Sequence, residues 1–246
     1  DKVTIPKGAT RRECYLDVDQ MTELYQCFLE KRYPEDWDTD WREHTHESLG
    51  LFLVQYLCNG FNLADAARLV YDDHYFKSGR KSFRFIRKKT EDRSDTEIVI
   101  PIIEPLQKIL DEIAAEPIKG SLVFPQIYAG EQNPEGMKAR VSQENQNIRK
   151  RLGRLVKTMG WEVAPSGTWC RHSFATNLSH AGGVPKEYIQ EAMGHSVMSG
   201  TVTDRYIQTY PLARQMEFNS KLLKLGEQTD IMEELQGLTT DQIKAL

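Results

Sequence analysis

Cysteine is scarce in this chain and carries no pattern. Four occur among 246 residues, Cys14, Cys27, Cys58 and Cys170, and no two form a C-x-x-C pair. That spacing argues against a zinc site and offers no disulfide framework. Cys27, Cys58 and Cys170 sit among apolar or aromatic neighbours, which predicts reduced, buried thiols and a cytoplasmic location. Long apolar runs are missing as well. The longest, "LGLFLVQYLCNGF", breaks at Asn59-Gly60, short of the roughly 20 residues a membrane-crossing helix needs. No signal peptide opens the chain, and no membrane partner is expected. The first residue is Asp1 rather than Met, as expected of a piece cut from a longer protein. Nor is there an excess of positive charge. With 32 Lys and Arg against 36 Asp and Glu the formal net charge is -4, which excludes a uniformly basic nucleic-acid binder but not a local basic patch.

What is present suits one large domain or two small ones, with a sizeable core. Residues 1–13 read as a leading segment. "VDQMTELYQCFLEKR" places Met21, Leu24, Tyr25 and Leu29 at helical spacing, with Asp17 or Asp19 as its cap. "PEDWDTDWREHTH" is acidic and aromatic and reads as a loop, with His44 and His46 solvated rather than metal-bound. "ESLGLFLVQYLCNG" predicts a buried helix ending at Gly60, and "NLADAARLVYDD" a short one capped by Asn62. Ser78-Gly79 marks a turn, and "SFRFIRKKT" and "TEIVIPI" are β-rich runs joined by a polar turn, the pattern of a hairpin. "IEPLQKILDEIA" is an amphipathic helix, and "GSLVFPQIYAGEQNPEG" an extended segment and loop. "ARVSQENQNIRKRLGRLVKTMG" is a basic helix with Ile148, Leu152, Leu155 and Val156 on one stripe. Helices follow at roughly 170–181 and 185–193, stopped by Gly182-Gly183 and Gly194, and the tail from Asn219 is helical by composition. The fold class is therefore α+β, mainly helical, with a small β-hairpin at one edge.

Charge collects in two places. Between Lys77 and Lys89 lie Lys77, Arg80, Lys81, Arg84, Arg87, Lys88 and Lys89, with no acid and with Phe76, Phe83, Phe85 and Ile86 interleaved. The second cluster is Arg149, Lys150, Arg151, Arg154 and Lys157 on the basic helix. Two such patches in a net acidic chain point to a phosphate-rich ligand.

"GTWCRHSFATNLSHAGG" sets Arg171 at the start of a helix, where unpaired backbone N–H groups favour an anion and a guanidinium fork suits phosphate oxygens. Downstream, "VPKEYIQEAMGHS" delivers His195 just past Gly194, and "TVTDRYIQTY" supplies Tyr206. An arginine, a histidine, a tyrosine and a hairpin lysine suffice for metal-free phosphoryl transfer: a nucleophile, two charge stabilisers and a proton donor. Each alone is a weak signal, and their order and spacing carry the weight.

"RHSFATNLSHAGGVPKEYIQEAMGHS", the later "TDRYIQTY" and the hairpin "FRFIRKKTEDRSDTEIVIPI" resemble the tyrosine recombinase (phage integrase) family, in particular the integrases of conjugative transposons. The likeness runs from about Tyr15 to Leu223. It implies a linker at 1–14, an integrase-type catalytic domain at 15–225 and a C-terminal helical tail at 226–246 that can dock onto a neighbouring protomer. It further implies site-specific DNA recombination. Tyr206 attacks a scissile phosphate to form a 3'-phosphotyrosyl link. Arg171 binds the non-bridging oxygens, His195 hydrogen-bonds the phosphate, and Lys89, with Lys88 as the alternative, is the general acid. No metal or other cofactor is implied, in keeping with the absence of a Walker-type loop. The partners implied are double-stranded DNA, contacted by Arg84, Arg87, Lys88, Arg149, Lys150 and Arg151, and further copies of the chain in a tetrameric synapse.

The chain departs from the family pattern in three ways. Thr168 stands where the family has a histidine, three residues before the arginine. If Asp65 is the family's early acidic residue, the family's first arginine is replaced by Asn62, with Arg68 or an arginine from elsewhere as the alternative. The span from His195 to the tyrosine is longer than the commonest form, so Tyr210 is a rival nucleophile, although "TDRY" fits Tyr206 better. These departures leave open a degenerate recombinase fold that binds DNA without cleaving it, a topoisomerase-like relaxing enzyme, and a helical interaction module.

Overall fold

The computed structural model describes residues 14–86, 97–194 and 210–225. Helix α1 (Val18–Glu30) begins at Asp17, whose carboxylate accepts the Gln20 N–H while the Gln20 side chain accepts the Asp17 N–H. This reciprocal cap satisfies two N–H groups that a helix start otherwise leaves unpaired. Asp17, not Asp19, is thus the cap. Met21, Leu24 and Tyr25 are buried as the spacing predicts, but Leu29 is exposed and Cys27 and Phe28 take its place in the core.

Helix α2 (Thr39–Leu57) corrects the expected loop. It starts well before Glu47, with Asp38 accepting the Trp41 N–H at 2.8 Å. Trp37, just before the helix, and Trp41, in its first turn, face helix α6 (Pro134–Thr158): Arg154 lies 4.8 Å over the Trp37 ring and 5.1 Å over Trp41. Cation–π contacts of this kind hold a segment that hydrophobic periodicity alone does not reveal. His46 is not solvated either. It stacks on Phe28 at 4.2 Å, and its Nδ1 is 2.7 Å from the Tyr33 hydroxyl. From Leu49 to Leu57 every residue of α2 is buried, the signature of a helix enclosed on all sides. Gly50 permits this, since a Cβ there would lie 2.8 Å from Ile113 and 2.9 Å from Phe28.

Helix α3 is shorter than expected (Leu63–Ala66), and α4 (Asp73–Lys77), which Asp72 caps, has no counterpart in the elements expected from sequence. The hairpin is present: β1 (Ser82–Ile86) pairs antiparallel with β2 (Glu97–Pro101), Ser82 opposite Pro101 and Ile86 opposite Glu97. Phe83, Phe85, Ile98 and Ile100 point inward while Arg84 points out, the period of two that a half-buried sheet requires. Helix α5 (Glu104–Ile113) follows, then a 3-10 turn at Pro125–Ile127. The longer α6 buries the predicted four residues, Ile148, Leu152, Leu155 and Val156. Helices α7 (Gly167–His180), α8 (Lys186–Ala192) and α9 (Leu212–Ser220) complete the described chain. The helix expected from Asn219 onward instead ends at Ser220 as α9, and residues 226–246 lie outside the described residues.

The architecture is mainly helical with a two-stranded sheet, as the sequence predicts. One hydrophobic core joins every helix to the hairpin, with α2 at its centre against α1, α5, α6 and α7. Among the described residues no helix is long and apolar enough to cross a membrane.

Candidate active site

Arg171 stands one turn into α7, and the surrounding backbone fixes it. Its Nη1 donates to the Gly60 carbonyl at 3.3 Å and its Nη2 to the Met193 carbonyl at 3.0 Å. Met193 caps the end of α8, a position where helix carbonyls carry partial negative charge and favour a cation, while Gly60 lies three residues beyond the end of α2. Gly60 has φ +68°, and a Cβ there would come within 3.0 Å of the Arg171 Cα and 3.2 Å of the Phe174 Cβ. Glycine therefore serves twice at this position, allowing the left-handed turn and the close approach of α7. The Cys170 thiol donates to the Phe52 carbonyl at 3.3 Å, and full burial pushes its pKa well up, which suits a packing role. Cys27 and Cys58 are likewise free and buried.

Thr168 lies in the first turn of α7 and is exposed, as is His172. Lys88, Lys89, Arg87, His195 and Tyr206 lie outside the described residues. What the fold gives for them is where their segments leave and return. Strand β1 runs to Ile86, three residues before Lys89. Helix α8 ends at the Met193-Gly194 turn, immediately before His195. The chain returns at Tyr210, whose N–H donates to Glu191 of α8 at 3.3 Å. Burial raises the Glu191 pKa, and this N–H pulls it back down.

Two other tyrosines are tied into the packing. Tyr188 is fully buried, with its hydroxyl 2.7 Å from Asn219 Oδ1. Tyr210 packs edge-on against Tyr188 at 5.5 Å and Phe218 at 5.8 Å, and desolvation raises its pKa, the wrong direction for a nucleophile.

Asn62 caps α3. Its side chain accepts the Asp65 N–H at 2.8 Å, and Asp65 returns the contact to the Asn62 N–H at 3.4 Å. Arg68 pairs with Asp65 at 3.4 Å and lies 5.1 Å over the Phe85 ring, with its Nε buried and without a hydrogen-bond partner. The basic residues divide. Arg84 is exposed on β1 and ion-paired at 3.4 Å to both Asp72 and Glu97. Arg149 and Lys150 are exposed on α6, with the Lys150 ammonium 5.6 Å over Trp41. Arg151 turns inward: it donates to Ser48 at 3.0 Å and meets Glu144 at 3.5 Å. Among the described residues no three His, Cys, Asp or Glu side chains gather as a metal site would need.

Sequence reasoning missed the polar residues behind this face, Asn59, Asn219 and Glu191. The Asn59-Gly60 break marked the place but not the bonds.

A comparison with curated proteins finds no match. Among solved structures the chain is similar to the integrase from mycobacterium phage Brujita, with a TM-score of 0.50 and 17% identity. The match covers 91% of this chain and 61% of that one, so the chain spans less than two thirds of its neighbour, and the likeness is one of fold. The family comparison is more direct. Residues 14–212, from just before α1 into α9, match the phage integrase family. With the "RHSFAT" helix start, the "MGHS" turn and the hairpin in family order, the chain belongs to the phage integrase family of tyrosine recombinases.

Proposed function

We propose that this chain is the catalytic domain, over residues 15–225, of a mobile-element integrase that cuts and rejoins DNA through a 3'-phosphotyrosyl intermediate. The observation that carries the reading is the seating of Arg171. The arginine of the family motif is fixed between the carbonyls of Gly60 and of Met193, and Met193 lies two residues before His195. Arg171 grips the non-bridging oxygens of the scissile phosphate, where charge develops during attack. Tyr206 attacks phosphorus and the 5'-oxygen leaves, taking a proton from Lys89 or Lys88. His195 hydrogen-bonds the phosphate and Thr168 contributes a hydroxyl. A 5'-hydroxyl of a partner strand reverses the step, regenerating the free tyrosine. An unperturbed tyrosine ionises near pH ~10, so neighbouring positive groups must favour the phenolate during attack. Arg84, Arg87, Lys88, Arg149 and Lys150 contact the DNA backbone, and further copies of the chain assemble on the DNA as a tetramer. The reaction proceeds in the cytoplasm.

Arg151 fits this reading least well, because Ser48 and Glu144 already engage it. One observation favours a second reading, a fold that binds DNA without cutting it. Asn62, at the position of the family's first arginine, is committed to capping α3.

The deciding experiment uses a pool of duplexes of randomised sequence, each nicked so that the cleaved fragment diffuses away. Covalent protein–DNA adducts are resolved on a denaturing gel and sequenced. Adduct from wild type and none from Tyr206→Phe is the expected result. Equal non-covalent binding by both proteins with no adduct from either would establish the binding-only fold.

A further inference from the structure

Behind Arg171 three buried polar side chains form a continuous chain of hydrogen bonds. Asn59 Nδ2 donates to the Val99 carbonyl at 3.0 Å, and its Oδ1 accepts from Asn219 Nδ2 at 2.9 Å. The Asn219 Oδ1 accepts the Tyr188 hydroxyl at 2.7 Å. Asn59 and Asn219 are 0% exposed and Tyr188 is 1% exposed. The direction of the chain is forced. A backbone carbonyl only accepts, so Asn59 must present its amide nitrogen to Val99 and its oxygen to Asn219, which in turn leaves the Asn219 oxygen for Tyr188. Asn59 adopts φ +56°, a left-handed backbone that asparagine tolerates better than most residues.

The elements joined are the ones whose chain leads to or from the proposed reacting groups. Val99 lies on β2, the partner of the strand that leads to Lys89. Asn59 precedes Gly60, whose carbonyl holds Arg171. Tyr188 lies on α8, which leads into His195, and Asn219 lies on α9, which follows Tyr206. The return of the chain is held by the same two helices, since the Gln215 side chain donates to the Tyr210 carbonyl at 2.7 Å and Glu191 accepts the Tyr210 N–H.

We propose that Asn59, Asn219 and Tyr188 are positioning residues for DNA strand cleavage: their hydrogen-bonded chain sets the register of the four site-bearing segments without touching DNA. The inference rests on the recombinase reading above. Buried amides suit this work because a fully satisfied network has one arrangement, whereas apolar side chains of the same volume can slide. Displacing a reacting group by a fraction of an ångström to an ångström slows chemistry while leaving binding intact.

The test compares two tyrosine hydroxyls on the full chain. Tyr188→Phe removes the last link. Tyr71→Phe removes a hydroxyl that donates to the Ala115 carbonyl at 2.8 Å, away from the network. For each, the single-turnover rate of adduct formation on a selected nicked duplex, the affinity for that duplex and the Tm are measured. Tyr188→Phe is expected to slow adduct formation by about tenfold or more with affinity within about twofold, a loss in the chemical step alone. Tyr71→Phe is expected to lower Tm to a similar degree and leave the rate unchanged. Should Tyr188→Phe fail to fold, Asn219→Ser, which keeps a donor and an acceptor, is expected to show the same split. Equal rates for the two Phe variants, or a loss of affinity that matches the loss of rate, would overturn the proposal. Absence of adduct from wild type would instead overturn the recombinase reading, and this inference with it.

Discussion

Arg171 and Met193 are joined by a hydrogen bond of 3.0 Å from guanidinium to carbonyl. The contact ties the motif arginine of α7 to the residue two places before the motif histidine. A lysine at 171 keeps the charge but cannot reach the Gly60 and Met193 carbonyls together with a planar fork. Arg171→Lys is therefore expected to lower the rate of adduct formation by at least about 100-fold, the scale on which single charge-stabilising donors act. Duplex affinity should fall far less, because one phosphate contact among several is altered and not removed. Single-turnover cleavage and filter binding separate the two; a parallel fall in both would make Arg171 a general DNA contact.

Gly60 underlies that seating, and its substitution tests the geometry directly. Alanine there meets both a positive φ and the α7 backbone at 3.0 Å. Gly60→Ala is expected to destabilise the fold by about 2–6 kcal/mol, the sum of backbone strain and overpacking. Urea unfolding measures it. A change below about 0.5 kcal/mol, the level of an ordinary surface substitution, would mean that α7 can shift outward freely.

Local patterns in the sequence carried much of this fold. The α6 stripe of Ile148, Leu152, Leu155 and Val156 was legible because apolar periodicity is a local signal. The hairpin and the cap of α3 were legible for the same reason. The start of α2 was not, since Trp37 and Trp41 owe their order to Arg154, which lies far along the chain on another helix. Asn59 shows the same limit more sharply. It read as a helix stop, and so it is, but its partners lie 40 and 160 residues away. Arg171 was found by its motif, whereas Glu191 and Asn219 belong to no motif.

Arg149 and Arg151 were read as equivalent from sequence, and α6 turns them in different directions. Arg149 is exposed, while Arg151 retains 15% side-chain exposure beside Ser48 and Glu144. Each phosphate contact contributes about 0.9 to the slope of log affinity against log salt on duplex DNA. Arg149→Ala is expected to reduce that slope by about one such unit with little change in Tm. Arg151→Ala is expected to lower Tm and leave the slope alone, because it strands Glu144 and the Ser48 hydroxyl. Salt titrations of duplex binding, paired with thermal melts, distinguish the two, and equal slopes for both variants would refute the assignment.

The last prediction concerns pH and His46. Burial holds its pKa below the ordinary histidine value; Glu112, at 3.1 Å from Nε2, pulls it upward and Lys31 adds to the lowering. Desolvation is the largest of these influences and prevails over the pull of Glu112. The unfolded chain protonates its histidine near pH ~6.5, where the folded chain still resists, so the unfolded state binds more protons just below that point. Stability contributed by neutral His46 is therefore complete above pH ~6.5 and is lost as pH falls toward the depressed folded value. His46→Phe keeps the stack on Phe28 and removes the titration. Its unfolding free energy should be flatter than that of wild type between pH ~7 and ~5, even though loss of the Tyr33 partner lowers it throughout. Glu112, whose pKa is depressed, and Glu47 and Glu191, whose pKa values burial raises, titrate in both proteins. His46 itself helps to hold the Glu112 pKa down, so the difference between the two curves reports the His46–Glu112 pair, and parallel curves would show that burial does not depress the histidine.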